Sequence, residues 1–246
     1  MHRFFIEPGQ VCGDEVTLSP EQAHQIARVL RLSSGARICI LDGRGRESEA
    51  VLMEISPRCA TARAVEWRPA AGEPRAHVAL ALGLLKGEKM DWAVQKTTEV
   101  GASEILPLQC ARSVVRVDAE RAAGKVERWQ RIAREAAEQC RRGRVPVVHP
   151  PLPLDSVLAR AAEFDRILLA DEAETVPLSA ALSPALSATP PRVLLLIGPE
   201  GSFAPEEAAA ARAAGALSVS LGPRVLRAET AALVGTALLL HHLEGE

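Results

Sequence analysis

Apolar residues change their spacing along this chain, and the change divides it. Up to about residue 70 they come in short runs with the two-residue alternation of strands, broken by turn residues. Phe4-Phe5-Ile6 predicts one short strand, and residues 37–41 and 47–55 flank Asp42-Gly43-Arg44-Gly45 as the arms of a β-hairpin would. Residues 61–67 predict another strand. Between the first strand and the hairpin, Ser19-Pro20-Glu21-Gln22 opens a helix, with Ser19 as N-cap, Pro20 at a position that needs no amide hydrogen, and Gln22 closing a capping box. Gly35 is placed to end that helix. Pro69, Gly72 and Pro74 then punctuate the chain, so a small, mostly β domain is expected over 1–70 and a second domain over 74–246.

Beyond that boundary apolar strands alternate with helical spacing, which predicts an α/β domain with a parallel sheet. Residues 78–85 form a continuous apolar run, as a strand covered on both faces requires. A helix from about residue 88 should end at Gly101, followed by a strand over 105–108. A long helix is expected over about 119–142, with Val126, Trp129, Ile132, Ala133 and Ala136 on its inner face. A shorter helix over 155–162, strands over 167–170, 193–197 and 217–221, a helix from Pro205 to Gly215 and a last helix over about 229–242 complete the pattern. The Ala-, Ser- and Pro-rich stretch 177–191 reads as a low-complexity connection.

Composition adds mainly exclusions. Hydrophobic residues make up 48% and charged residues 24%, which suits folded domains rather than disorder. No apolar run approaches the ~20 residues of a membrane helix, and residues 1–7 lack the apolar core of a secretory signal. A cytoplasmic protein without membrane association is expected. The net charge of −2 rules out grip on nucleic acid by bulk attraction, so an RNA partner would need a local arginine patch. Of the 29 basic residues 25 are arginine, a bias that GC-rich coding explains in the main. Cys12, Cys39, Cys59, Cys110 and Cys140 are scattered without a CxxC pair, so buried free thiols are expected and a metal site is not.

In an open α/β sheet, ligands bind beyond the carboxyl ends of the strands. Two such ends carry unusual loops here. One is Gly198-Pro199-Glu200-Gly201-Ser202, where glycine allows backbone to approach a ligand, although a tight turn alone would account for it. The other runs from Leu221 through Gly222, Pro223, Arg224, Val225, Leu226, Arg227 and Glu229 to Thr230. Capping explains Glu229 and Thr230, but two arginines at a helix N-terminus oppose the macrodipole and point to an anionic ligand. Around residues 88–99, Lys96 and Glu99 read as an ordinary i,i+3 pair, and Trp92 as core. His24, Arg28 and Arg31, at i, i+4 and i+7, make a basic stripe suited either to phosphates or to solvent. Arg112 and Arg116 follow a strand end and are further candidates for RNA contact, with Lys89 and Arg224.

Six stretches, HQIARVLR (24–31), KGEKMDWAVQKTTEVG (86–101), residues 112–115, RWQRIAREAAEQCRRGR (128–144), IGPEGSF (197–203) and LGPRVLRAETA (221–231), together resemble the ribosomal RNA small subunit methyltransferase E family of the SPOUT superfamily. The resemblance covers essentially the whole chain. It implies a PUA-like, RNA-binding β-barrel followed by a SPOUT domain with a C-terminal trefoil knot, in a homodimer. It further implies S-adenosylmethionine (S-adenosyl-L-methionine) as methyl donor and N3 of a uridine in 16S rRNA of the small ribosomal subunit as target. On matching positions, the cofactor would meet Gly198, Glu200, Gly201, Leu221, Gly222, Val225, Leu226 and Thr230. Because uracil N3 must lose a proton to react, Glu229 or Glu200 would accept it while Arg227 or Arg224 holds charge on a uracil oxygen. Ser202 stands where the family's motif has a second glycine, Ala204 where a capping hydroxyl is usual, and Cys140-Arg141 where Ser-Gly is frequent. The alternatives are a sister SPOUT enzyme acting on a ribose 2′-hydroxyl, and a non-catalytic RNA-binding assembly factor.

Overall fold

The computed structural model describes residues 1–182 and 190–245, so 183–189 of the connection expected over 177–191 lie outside the described residues. The chain divides into two units: residues 1–73 with 137–145, and residues 74–136 with 146–246.

The first unit contains β1 (Arg3–Phe5), β2 (Val11–Cys12), β3 (Glu15–Leu18), α1 (Pro20–His24), β4 (Arg37–Leu41), β5 (Arg46–Ile55) and β6 (Ala60–Pro69). They form one sheet in the order β1-β4-β5-β6-β3-β2, parallel between β1 and β4 and otherwise antiparallel. Its core gathers Phe4, Ile6, Val16, Leu18, Ile26, Ile38, Ile40 and Leu52. The capping box forms as expected: Ser19 Oγ accepts from the Gln22 amide at 3.2 Å, and Gln22 Oε1 accepts from the Ser19 amide at 2.9 Å. The helix does not reach Gly35. It widens into a π-turn over Gln25–Val29, and the Leu32 amide closes it on the Ile26 carbonyl at 3.0 Å. Arg31 then lies outside the helix with φ +51°, so His24, Arg28 and Arg31 do not share one α-helical face.

Residues 137–145 complete this unit. Ala137 packs with Phe5 and Leu41, with Val145 beside them. Glu73 Oε1 accepts from the amides of Gly143 (2.8 Å) and Arg144 (2.9 Å), and Glu73 pairs at 3.2 Å with Arg142, whose side chain is 4% exposed. A Cβ on Gly143 would sit 2.4 Å from Ala70 Cβ, so only glycine permits this approach.

The second unit alternates β7 (His77–Gly83), α2 (Lys89–Val100), β8 (Glu104–Leu108), α3 (Ala119–Gln139), β9 (Val147–Val148), α4 (Leu154–Leu158), β10 (Arg166–Ala170), α5 (Leu178–Ala181), β11 (Arg192–Ile197), α6 (Pro205–Ala213), β12 (Leu217–Val219) and α7 (Ala228–Glu244). The last residues of α3 belong to the first unit. All six strands are parallel, in the order β12-β10-β11-β7-β8-β9. The apolar runs of β7 and β11 are buried on both faces, as continuous strands between helical layers must be. Gly101 ends α2 at φ +115°.

Some expectations are corrected. Trp92 is 39% exposed rather than core, because the buried face of α2 is Met90, Ala93, Val94, Thr97 and Thr98 and residue 92 falls beside it. Only Cys39 and Cys110 are buried; Cys12 and Cys59 are exposed. Burial pushes the Cys110 thiol up to about 12, with Glu207 adding to the effect. The Lys96–Glu99 pair forms at 2.8 Å as expected.

The amino ends of the second unit's strands carry a charged cluster not foreseen from the sequence. Glu104, the first residue of β8 and 8% exposed, lies 3.0 Å from His77, 2.8 Å from His149 and 3.0 Å from Arg160, with Arg192 at 3.9 Å. The His149 contact is an ion-pair distance rather than an aligned hydrogen bond. Both guanidinium groups also stack on Phe164, at 5.8 and 5.6 Å from its centroid. Among the described residues, no helix is long and apolar enough to cross a membrane, and no three potential ligand side chains gather around a metal position.

Candidate functional site

The carboxyl ends of β10, β11 and β12 open into a cavity of ≈ 600 Å³. Three loops wall it: Gly198, Pro199, Glu200 and Ser202 after β11; Leu221, Gly222 and residues 224–227 after β12; and Asp171, Glu172 and Ala173 after β10. Lys89 and Arg112 line it as well.

Local constraints fix these loops. Gly83 ends β7 directly against the turn after β11, where a Cβ would fall 2.3 Å from Pro199 N and 2.8 Å from Pro199 Cα. Those are backbone atoms and cannot turn aside. Gly83→Ala is therefore expected to shift the 198–202 turn and to cost ~1–3 kcal/mol, the usual range for overpacking, measurable by thermal unfolding. The turn is closed by the Ser202 amide donating to Pro199 O at 2.9 Å. Ser202 is held at φ +59°, the left-handed conformation for which glycine would be free of strain. Gly222 sits at φ +119°, and a Cβ there would meet nothing within 4 Å, so the missing side chain leaves the wall open. Its amide donates to Ser220 Oγ at 3.2 Å. At the start of α6, Ala204 offers no capping oxygen. Glu207 compensates, accepting from the amides of Ala204 (2.8 Å) and Ala111 (2.7 Å).

Charge in the cavity is mixed. Glu200 Oε1 accepts from the Lys86 amide at 3.2 Å and from Lys89 Nζ at 3.3 Å. Partial burial alone would raise its pKa. The amides of Lys86 and Glu200 and the Lys89 ammonium outweigh that and hold the carboxyl below the usual carboxylate range. Arg112 donates to the carbonyls of Gly201 (3.3 Å) and Phe203 (3.4 Å), tying its guanidinium to the turn. Arg227 is the N-cap residue of α7 and makes no side-chain cap. Among the described residues, neither the Arg224 nor the Arg227 side chain has a hydrogen-bond or ion-pair partner, although both line the cavity. Glu229, in the first turn of α7, has one carboxylate oxygen (Oε2) buried without a hydrogen bond.

Of the residues singled out from the sequence, the fold brings Gly198, Glu200, Leu221, Gly222, Arg224, Val225, Leu226, Arg227, Lys89 and Arg112 to one cavity. Gly201, Glu229 and Thr230 stand next to lining residues without lining it themselves. Arg116 donates to Ala111 O at 3.4 Å and is not part of the wall. His24, Arg28 and Arg31 belong to the first unit. The loop 171–173 was missed. Its strand was legible, but its place beside β11 and β12 follows from strand order, which spacing does not encode.

Two protein families match parts of the chain. An RNA methyltransferase domain family matches residues 72–240, and an RNA methyltransferase PUA domain family matches residues 18–64. The chain is 34% identical to ribosomal RNA small subunit methyltransferase E of Bacillus subtilis, over 99% of this chain and 98% of that one. It is 35% identical to the protein of that name from Synechocystis, over 99% of this chain and 78% of the relative. The crystal structure of the Neisseria gonorrhoeae ribosomal RNA small subunit methyltransferase E, bound to S-adenosyl methionine, is 29% identical with a TM-score of 0.86, covering 97% of this chain and 96% of that one. The expected fold class, a PUA-like domain preceding a SPOUT methyltransferase domain, is borne out.

Proposed function

The chain belongs to the ribosomal RNA small subunit methyltransferase E family, and from that premise we propose that it methylates N3 of a uridine in 16S rRNA with S-adenosylmethionine as donor. That it is an RNA methyltransferase follows from membership; the target atom, the cofactor and the residue roles are proposed. The observation that carries it is the pair of unpartnered arginines, Arg224 and Arg227, in the same cavity as the glycine turns.

The cavity suits the cofactor. Its volume of ≈ 600 Å³ is in the range of small-molecule sites, and the open wall at Gly222 exposes backbone rather than side chain. Leu221, Val225 and Leu226 offer apolar contact for a base, while Gly198, Gly201 and Thr230 offer backbone and hydroxyl groups beside them. Bound S-adenosylmethionine supplies a methyl group already activated by its sulfonium.

The protein's own task is to make uracil N3 nucleophilic. Arg227, with Arg224, stabilises the negative charge that grows on a uracil oxygen as the proton leaves. Of the two candidate proton acceptors, Glu200 lines the cavity but is committed to Lys86 and Lys89, whereas Glu229 stands beside the lining residue Ala228 with its Oε2 free of hydrogen bonds. Glu200 then orders Lys89 at the mouth of the cavity. His24, Arg28, Lys89, Arg112 and Arg116 are the candidate contacts to RNA phosphates.

A homodimer is part of the reading. Trp92 on α2, Leu238 on α7 and Val225 in the loop before α7 are 39%, 42% and 77% exposed, an apolar set on elements beside the cavity. Trp92→Glu with Leu238→Glu is expected to yield monomers in analytical ultracentrifugation; a retained dimer would assign the interface elsewhere.

The function is tested by methyl transfer from labelled S-adenosylmethionine to small subunits lacking the modification, followed by nucleoside mass spectrometry. A 3-methyluridine product supports the reading. A 2′-O-methyl product overturns the target atom, and no transfer to subunits or to free 16S rRNA overturns the catalytic reading.

A further inference from the structure

Glu207, the third residue of α6, bonds two separate segments of the second unit. Its Oε2 accepts from the amide of Ala204 at the start of its own helix (2.8 Å), and its Oε1 accepts from the amide of Ala111 in the loop after β8 (2.7 Å). We infer that Glu207 is a positioning residue for methyl transfer: through Ala111 it fixes Arg112, and through Arg112 the turn 198–203 that walls the cavity. This rests on the reading of that cavity as the methyl donor's site, and adds to it a residue that does not itself line the wall.

Three observations converge. First, helix capping accounts for only one of the two bonds. An acid at the third helical position that reaches back to the N-cap amide is half of a capping box. The bond to Ala111 lies outside any cap: it joins residues 96 apart in sequence and satisfies an amide in a different loop. A residue needed only to start α6 would not spend its second oxygen there.

Second, the loop held by that bond is stiff enough to transmit a position. The Cys110 amide donates to Ser113 Oγ at 3.1 Å, the Ser113 amide donates to Cys110 O at 3.1 Å, and both residues are buried. The Val117 amide closes the loop on Gln109 Oε1 at 3.1 Å. Arg112 therefore approaches the turn from a fixed base. It lies close against Gly201, where a Cβ would be 3.2 Å from Arg112 Cβ and 3.3 Å from Arg112 O.

Third, Arg112 meets the turn where the turn needs support. Its Nη1 donates to the carbonyls of Gly201 and Phe203, the residues on either side of Ser202. Ser202 holds φ +59°, and strain of this kind persists only where the surrounding structure over-determines it. The path from Glu207 through Ala111 and Arg112 ends on both flanks of the strained residue. Ser202 and Phe203 line the cavity together with Gly198, Pro199 and Glu200, so a turn released at Ser202 changes the shape of that wall.

The test is calorimetric titration of the full chain with S-adenosylmethionine, without RNA. Glu207→Ala is expected to weaken binding about tenfold, the scale of a lost hydrogen bond to a charged group. Arg112→Ala should cause a similar loss although no phosphate is present, and the double variant should bind no worse than the weaker single, as members of one path do. Adding Ala204→Ser to Glu207→Ala supplies a capping oxygen, so the melting temperature should recover while the affinity stays low. Glu206→Ala removes an exposed acid that has no hydrogen-bond or ion-pair partner among the described residues, and should bind as the parent does. With the donor saturating, Glu207→Ala should keep kcat on small subunits within about threefold of the parent, because Glu207 touches no reactant. Glu207→Gln, with one acceptor for two amides, carries the same comparisons should Glu207→Ala not fold. Affinity restored by Ala204→Ser would make Glu207 a helix cap alone and overturn the inference. Additive losses in the double variant, unchanged affinity, a loss matched by Glu206→Ala, or a loss confined to kcat would overturn it equally. No donor binding by the parent would overturn the assignment of the cavity, and the positioning role with it.

Discussion

Arg227→Ala is expected to lower the rate of methyl transfer by about two to three orders of magnitude, the usual cost of removing one preorganised donor from a developing oxyanion. The residue is the N-cap of α7, lines the cavity and has no hydrogen-bond or ion-pair partner for its side chain among the described residues, so no described contact depends on its charge. The loss should appear in kcat, because the negative charge it meets grows only as the uracil proton leaves. Cofactor affinity, read by calorimetry without RNA, should stay within about threefold, since a guanidinium that acts on the transition state adds little to ground-state binding. Arg227→Lys should recover part of the rate, as a point charge without the planar fork. A kcat unchanged in the alanine variant would return Arg227 to the phosphate-binding surface and leave Arg224 as the candidate.

Glu104→Ala should be the most destabilising single change away from the cavity, by about 3–5 kcal/mol, because it leaves Arg160 facing the site of a lost buried partner. The parent should also show a dependence on acid that the variant lacks. Burial pushes the Glu104 carboxyl up, but His149, His77 and Arg160 beside it outweigh that and hold it far below the usual carboxylate range. A carboxylate whose folded pKa is depressed contributes its full stability above the unfolded value of about 4.3 and loses it as pH falls toward the folded value. Urea unfolding from neutral pH down through pH 4 and below should therefore show the two proteins converging in stability as acid is added. Parallel curves would mean that the cluster is merely close and not coupled to folding.

The difference between what was legible and what was not has a physical basis. Strands β7, β8, β10 and β11 were visible because a strand covered on both faces must be apolar throughout, and Val78-Ala79-Leu80-Ala81-Leu82 satisfies that without any knowledge of neighbours. The capping box at Ser19 was equally local. The two-residue strands β2 and β9 carry too few side chains to set a period. Arg31 was placed on a helical face because its spacing from His24 fits one, yet a π-turn shifts the register and no residue type announces it. In the candidate site, the loops at 198–202 and 221–227 were visible through residues that a plain turn does not need. Asp171 and Glu172 were not, since acids after a strand are common and only the strand order brings them to the cavity.

The clasp of Glu73 on residues 142–144 has a consequence for how the protein is made. The first unit lacks its closing segment until residue 145 has been synthesised, although its sheet ends at residue 69. At translation speeds of ~5–20 residues per second, roughly 70 intervening residues correspond to about 4–14 s in which Phe5 and Leu41 wait for Ala137. During that interval β7, α2 and β8 emerge with their own apolar faces, so the usual order, one domain finished before the next begins, does not apply to this chain. Its two units are instead obliged to mature together, and a ribosome stalled between residues 73 and 137 would display a β-sheet without its last covering piece.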